Sequence, residues 1–134
     1  MEINNSFGPI DISLSGMGVQ GKQMEMISAN IANARTTDAG KGEPYRRQQA
    51  QFGTDAESIS GVTLERITQD QSEFDLVMNP GHPDADEHGY VQMPNVDLPI
   101  EMMNMVIATR TYQANVAALK RYQKMVETTL ELLR

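Results

Sequence analysis

Apolar residues at alternating spacings of three and four run through both ends of this chain, and that pattern commits it to paired or bundled helices. Toward the C-terminus the row is Met102, Met105, Thr109, Tyr112, Val116, Leu119, Gln123, Val126, Leu130 and Leu133. Toward the N-terminus it is Ile10, Leu14, Met17, Gly21, Met24, Ser28 and Ile31. Such rows are the a and d positions of helices that wrap around one another. They string apolar side chains along contact lines rather than around a pocket, which points to assembly ahead of catalysis.

The first helix is expected over Ile10 to Asn33, after an arm containing Asn4, Asn5, Gly8 and Pro9. Gly16, Gly18 and Gly21 each cost such a helix roughly 0.8–1 kcal/mol relative to Ala. Two readings of them stand side by side: a weak helix, or close approach by a packed neighbour that recovers the loss. Asn30, Asn33 and the Thr36-Thr37-Asp38-Ala39-Gly40 stretch end the helix. The second helix opens on Asp97 as N-cap, with Pro99 in its first turn and Glu101 favourably placed at the positive end. Running to the end of the chain, it spans ~55 Å against ~36 Å for the first.

Between them, turn residues separate short strand candidates: Tyr45 to Phe52, Val62 to Ile67 after Gly61, Phe74 to Met78 before Asn79-Pro80-Gly81, and Tyr90 to Met93. The chain thus divides into an N-terminal arm and helix (1–34), a polar, β-containing middle (35–96) and a long C-terminal helix (97–134), together one structural unit. The expected fold class is mainly α with a small β insertion (α+β), the two helices forming a coiled-coil hairpin.

A second apolar line, Ile107, Ala114, Ala118, Met125 and Leu132, lies away from the seam of the second helix. One shorter partner helix cannot cover both lines. A thin seam must also offset the backbone entropy of roughly sixty ordered residues, at about 1–2 kcal/mol each. Extra burial against neighbouring chains is the natural remedy.

Composition narrows the alternatives. The net charge of −7 is uneven: −2 over 1–34 (one Lys, three acids), −6 over 35–96 (five basic, eleven acidic) and +1 over 97–134 (five basic, four acidic). No basic patch is dense enough for nucleic acid, and an acidic chain is repelled by phosphate and by anionic membranes. No apolar run approaches the ~20 residues of a membrane span, so no membrane insertion is expected. The N-terminus has neither a basic start nor an apolar core, so a cleaved secretory signal is not expected. There is no Cys, which removes disulfides and thiolate metal sites. Ten Met residues, seven of them within the seam regions (Met17, Met24, Met26, Met102, Met103, Met105, Met125), suit adaptable packing.

Candidate chemistry is sparse. His82-Pro83-Asp84-Ala85-Asp86-Glu87-His88 offers metal-ligand types, but in a Pro/Gly turn without a recognised metal spacing. Gly16-Met17-Gly18-Val19-Gln20-Gly21 spells G-x-G-x-x-G, yet it sits inside a heptad segment rather than between a strand and a helix. Ser13, Ser15 and Ser28 have neither a nearby His nor a nucleophile elbow. Arg46-Arg47 is expected to pair with the acidic middle region or with a neighbour. No catalytic residue, metal or cofactor is expected.

Two segments go beyond pattern. Met24-Glu25-Met26-Ile27-Ser28-Ala29-Asn30-Ile31-Ala32-Asn33-Ala34-Arg35-Thr36-Thr37, followed by Pro44-Tyr45-Arg46-Arg47-Gln48, resembles the N-terminal signature of bacterial flagellar rod and hook proteins. Gly89-Tyr90-Val91, Pro94-Asn95-Val96-Asp97, Glu101-Met102, Met105, Ala108, Arg110 and Tyr112-Gln113-Ala114-Asn115 are similar to the proximal-rod family of the flagellar basal body. The resemblance implies a non-enzymatic subunit of the periplasm-spanning rod, exported through the flagellar type III apparatus without signal cleavage. It implies partners among copies of itself and other rod proteins, met through terminal helices that line an axial tube. The assembly seam is then expected at Ile10, Leu14, Met17, Met24, Ile31, Met102, Met105, Tyr112, Val116, Leu119, Val126, Leu130 and Leu133. Asn30, Asn33, Tyr112 and Asn115 are candidate registry points, with helix capping or internal packing as their plainer role. The rival functions are a free-standing helical-hairpin adaptor or chaperone, and a small metal-dependent hydrolase using His82 and His88.

Overall fold

The computed structural model describes residues 8–40, 42–54 and 61–133. Six elements follow in order: α1 (Gly8–Ala32), β1 (Gln48–Thr54), β2 (Val62–Gln69), β3 (Asp75–Met78), β4 (Tyr90–Met93) and α2 (Leu98–Leu132). The fold is mainly α with a small antiparallel β part, as the heptads and turn signals predict.

Local chemistry sets the helix ends. The Asp97 side chain accepts from the Ile100 amide at 3.1 Å, and Pro99 in the first turn has no N–H to leave orphaned. At the exit of α1, the Asn33 amide donates back to the Ala29 carbonyl at 2.9 Å, and Thr36 donates to Asn33 Oδ1 at 3.2 Å. The helices run antiparallel: Asn30 meets Glu101, Met24 Sδ accepts from the Thr109 hydroxyl at 3.6 Å, and the Asn115 amide lies over Gly16. With 35 residues against 25, α2 outruns α1 by ten residues, ~15 Å of helix.

β1 and β2 form a hairpin bulged between Gln51 and Phe52. It is fastened to α1 by the Val62 amide donating to Ser15 Oγ at 3.2 Å. Gly61, just before β2, has φ +109° and faces Ser15 so closely that no side chain fits. β3 and β4 form a separate two-stranded sheet, pairing Met78 with Tyr90, Val77 with Val91 and Leu76 with Gln92. Among the described residues this second sheet packs on neither helix.

Among the described residues the apolar core is small: Val19, Met26 and Ile27 of α1 and Ala108 of α2, with Val91 of β4 buried apart from them. The heptad row expected in α1 lies beside this core rather than at its centre. Ile10, Met17, Met24 and Ile31 are half-buried, while Leu14 and Ser28 are exposed. α1 is covered from two directions, by α2 and by the β1–β2 hairpin, so its deepest stripe falls between the two and includes the polar Asn30. The glycines divide between the two readings. Gly16 is a close approach, where a Cβ would stand 2.8 Å from the Asn115 amide nitrogen, whereas Gly18 and Gly21 face open space.

Candidate assembly interface

The position where α1, α2 and β1 meet is held by polar groups. Asn30, at the C-terminal end of α1, is fully buried and uses its whole amide. Its Nδ2 donates to the Gln48 carbonyl (3.0 Å) and to Glu101 Oε2 (3.1 Å). Its Oδ1 accepts from the Gln48 amide (2.9 Å) and the Tyr45 hydroxyl (3.0 Å). Glu101, one turn into α2, is also fully buried, and its second oxygen accepts from Arg47 Nε at 2.7 Å. Arg47 thus pairs across the molecule with α2, and more loosely with Asp70 of the acidic middle region at 3.9 Å. Its backbone amide donates to Asn95 Oδ1 at 2.9 Å, and Asn95 Nδ2 in turn donates to the Asp70 carbonyl at 3.1 Å. Next to it, the Arg46 guanidinium sits 4.2 Å from the centre of the Phe74 ring.

Two protonation equilibria respond to this packing. Burial, and then the charge of Glu101, push the Tyr45 phenol above its ordinary value near 10. Hydrogen bonds from the backbone and side chain of Ser72 hold the Asp70 carboxyl below the usual carboxylate range, with weaker help from Arg47 and Arg46. No buried side-chain nitrogen or oxygen among the described residues lacks a partner. A junction satisfied in this way fixes the angle and register at which α1, α2 and the β1–β2 hairpin leave it.

The residues expected at an assembly seam fall into two groups on α2. Met105, Val116 and Leu119 are half-buried against α1, while Met102, Tyr112, Val126, Leu130 and Leu133 are exposed. The expected second line, Ile107, Ala114, Ala118, Met125 and Leu132, faces outward along its whole length, reaching 83% exposure at Leu132. Of the registry candidates, Asn30 is the hub of the junction and Asn115 lies on Gly16, whereas Asn33 bonds only its own helix exit. Tyr112 is exposed at the margin.

In the sequence Glu101 reads as a helix-end charge, and Tyr45, Gln48 and Asn95 stand in the motif segments without a role of their own. A signal was present: Glu101, Ala108, Asn115 and Tyr122 recur every seven residues, and they form a buried or half-buried line facing α1. Counting only apolar residues hides it. In the loop between β3 and β4, the acids serve the turn. Asp86 Oδ1 accepts from the His88 and Tyr90 amides (2.9 and 2.8 Å), and Asp84 Oδ2 accepts from Thr37 at 2.7 Å. His82 Nδ1 accepts from the Asp84 amide at 3.1 Å. Among the described residues no three His, Asp or Glu side chains converge as a metal site would require.

An interlocked junction beneath a long uncovered helix face is the geometry of a building block, and the relatives agree. Residues 10–39, α1 and its exit, match the family model described as flagella basal body rod protein. Residues 87–132, β4 and α2, match the one described as flagellar basal body rod FlgEFG protein C-terminal. The flagellar basal-body rod protein FlgC of Agrobacterium fabrum is 39% identical over 127 residues, covering 92% of this chain and 91% of its own length. That of Bacillus subtilis is 37% identical, with 95% and 97% covered, and that of Borreliella burgdorferi is 32% identical, with 96% and 97% covered. With the likeness covering more than nine-tenths of both partners, this chain belongs to the FlgC family of flagellar basal-body rod proteins.

Proposed function

We propose that the chain is a non-enzymatic structural subunit of the flagellar basal-body rod, its helices packing with copies of itself and with other rod proteins into an axial structure that carries torque. Its place is the basal body. Export through the flagellar type III apparatus without a cleaved signal belongs to the same reading. The observation that carries it is the outer surface of α2, where Met103, Val106, Ile107 and Met125 are about half exposed or more and the last turns run past α1. An exposed apolar face of this length marks a contact surface. The polar junction gives that surface a fixed bearing, which a torque-carrying part requires.

Leu130→Asp tests the reading at a side chain that is 63% exposed in the single chain. The fold tolerates this change, so the subunit is expected to be exported in normal amounts, to be missing from isolated basal bodies, and to leave cells non-motile. Val116→Asp, at the half-buried part of the row, is expected to give the same loss. Normal incorporation of both variants would overturn the assembly role of this row.

A further inference from the structure

Lys and Arg are absent from residue 67 to residue 109, while the stretch from Asp70 to Met93 carries six acids: Asp70, Glu73, Asp75, Asp84, Asp86 and Glu87. From Arg110 onward the balance reverses, with five basic residues against Glu127 and Glu131. The β3–β4 sheet therefore sits in the acidic part, and the distal half of α2 in the basic part. Both carry uncovered apolar surface. On the sheet, Leu76, Met78 and Tyr90 share one face by strand alternation and pairing, at 64%, 67% and 42% exposure. On α2, the outward floor is Ala114, Ala117 and Ala118, all exposed and all small. Lys120, Arg121 and Lys124 beside it are exposed, and none of the three makes an ion pair among the described residues.

Bulk on one surface, with Asp84 and Asp86 beside Leu76 and Tyr90, thus matches a shallow floor and positive charge on the other. One copy cannot join them to each other. β4 feeds directly into the start of α2, and Arg121 lies twenty residues beyond Glu101, ~30 Å along the helix; the sheet packs on neither helix. We propose that the β3–β4 face of one copy seats on the outward face of α2, around Ala118, of a second copy. Two different surfaces are joined, so each bound pair leaves one of each kind free and the contact propagates head to tail rather than closing as a dimer. Opposite charge fixes which surface meets which. This rests on the rod reading above and names one of its contacts.

Because the chain has no cysteine, the contact can be trapped at chosen points. The full chain is expressed as Met78→Cys, as Ala118→Cys and as the double variant, and isolated basal bodies are treated with a short bismaleimide. A pair of Leu76→Cys and Ala117→Cys provides a second test. The double variants are expected to give dimers, trimers and higher products of this chain alone, and each single variant at least tenfold less. Adding Lys120→Glu and Arg121→Glu is expected to reduce the ladder severalfold. Incorporated chain with no ladder from either pair, or as much dimer from a single variant as from the double one, overturns the head-to-tail contact while leaving the rod reading intact. Absence of the unaltered chain from basal bodies instead overturns the rod reading.

Discussion

Glu101 has no route to water, so its charge is answered only by Arg47 and the Asn30 amide. Removing one partner of a buried pair is costly because the other is left desolvated and alone. Arg47 is partly exposed, which tempers the loss. Arg47→Ala is expected to destabilise the subunit by about 2–4 kcal/mol. Adding Glu101→Gln to it is expected to restore part of that, as urea denaturation of the single and double variants will show. The protonation shifts work in two directions. Tyr45 is harder to ionise in the folded chain than in the unfolded one. Its contribution is therefore complete below the ordinary phenol value and is lost as pH rises through the folded value. Phenolate absorbance should show a late-titrating step, and Tyr45→Phe should remove it. Asp70 is easier to ionise when folded, so its contribution is present above the carboxylate range and disappears as pH falls through the lowered value. Ser72→Ala removes the side-chain bond but keeps the larger backbone one, so it is expected to flatten that acid limb of the stability curve only in part.

Among the elements, the helices were legible because heptads and end signals agree: Asp97 and Pro99 at the start of α2, and the Asn33–Thr36 region after α1. What stayed hidden was which face of α1 is deepest. Two elements cover it, and the residues that decide the matter, Asn30 and Ser15, are polar. β1 was faint for a related reason, since Gln48, Gln49 and Gln51 carry no apolar alternation. Its register comes instead from pairing with β2 and from the Asn30 amide. The three α1 glycines give a direct check on element-level reasoning. Gly18 and Gly21 have no neighbour within 4 Å of an added Cβ, so Gly18→Ala and Gly21→Ala are each expected to stabilise by about 0.5–1 kcal/mol in thermal or urea melts. At Gly16 the same change forces the Asn115 amide aside, and the gain is expected to shrink or reverse. If all three behaved alike, Asn115 would have no part in setting helix register.

For the whole molecule, two demands fall on different parts of the chain. Stability is concentrated where α1, α2 and the β1–β2 hairpin meet, with Glu101 and Asn30 fully buried and the small apolar core alongside. The far end of α2 contributes little to it: Met125, Val126, Leu130, Leu132 and Leu133 are exposed and lie toward or past the first turn of α1. Exposed leucines on a protruding helix add nothing to the fold of one copy and gain their burial only from another. Fold and assembly should therefore separate experimentally. Ending the chain after Met125 is expected to change the unfolding free energy of the isolated subunit by no more than ~0.5 kcal/mol. The same truncation is expected to abolish its recovery in isolated basal bodies. A large fall in stability would mean that these last turns close the subunit's own core, and the apolar surface would then no longer be spare for neighbours. Full incorporation without them would place the assembly contacts elsewhere on the helix, leaving the Ala114–Lys124 stretch to carry them.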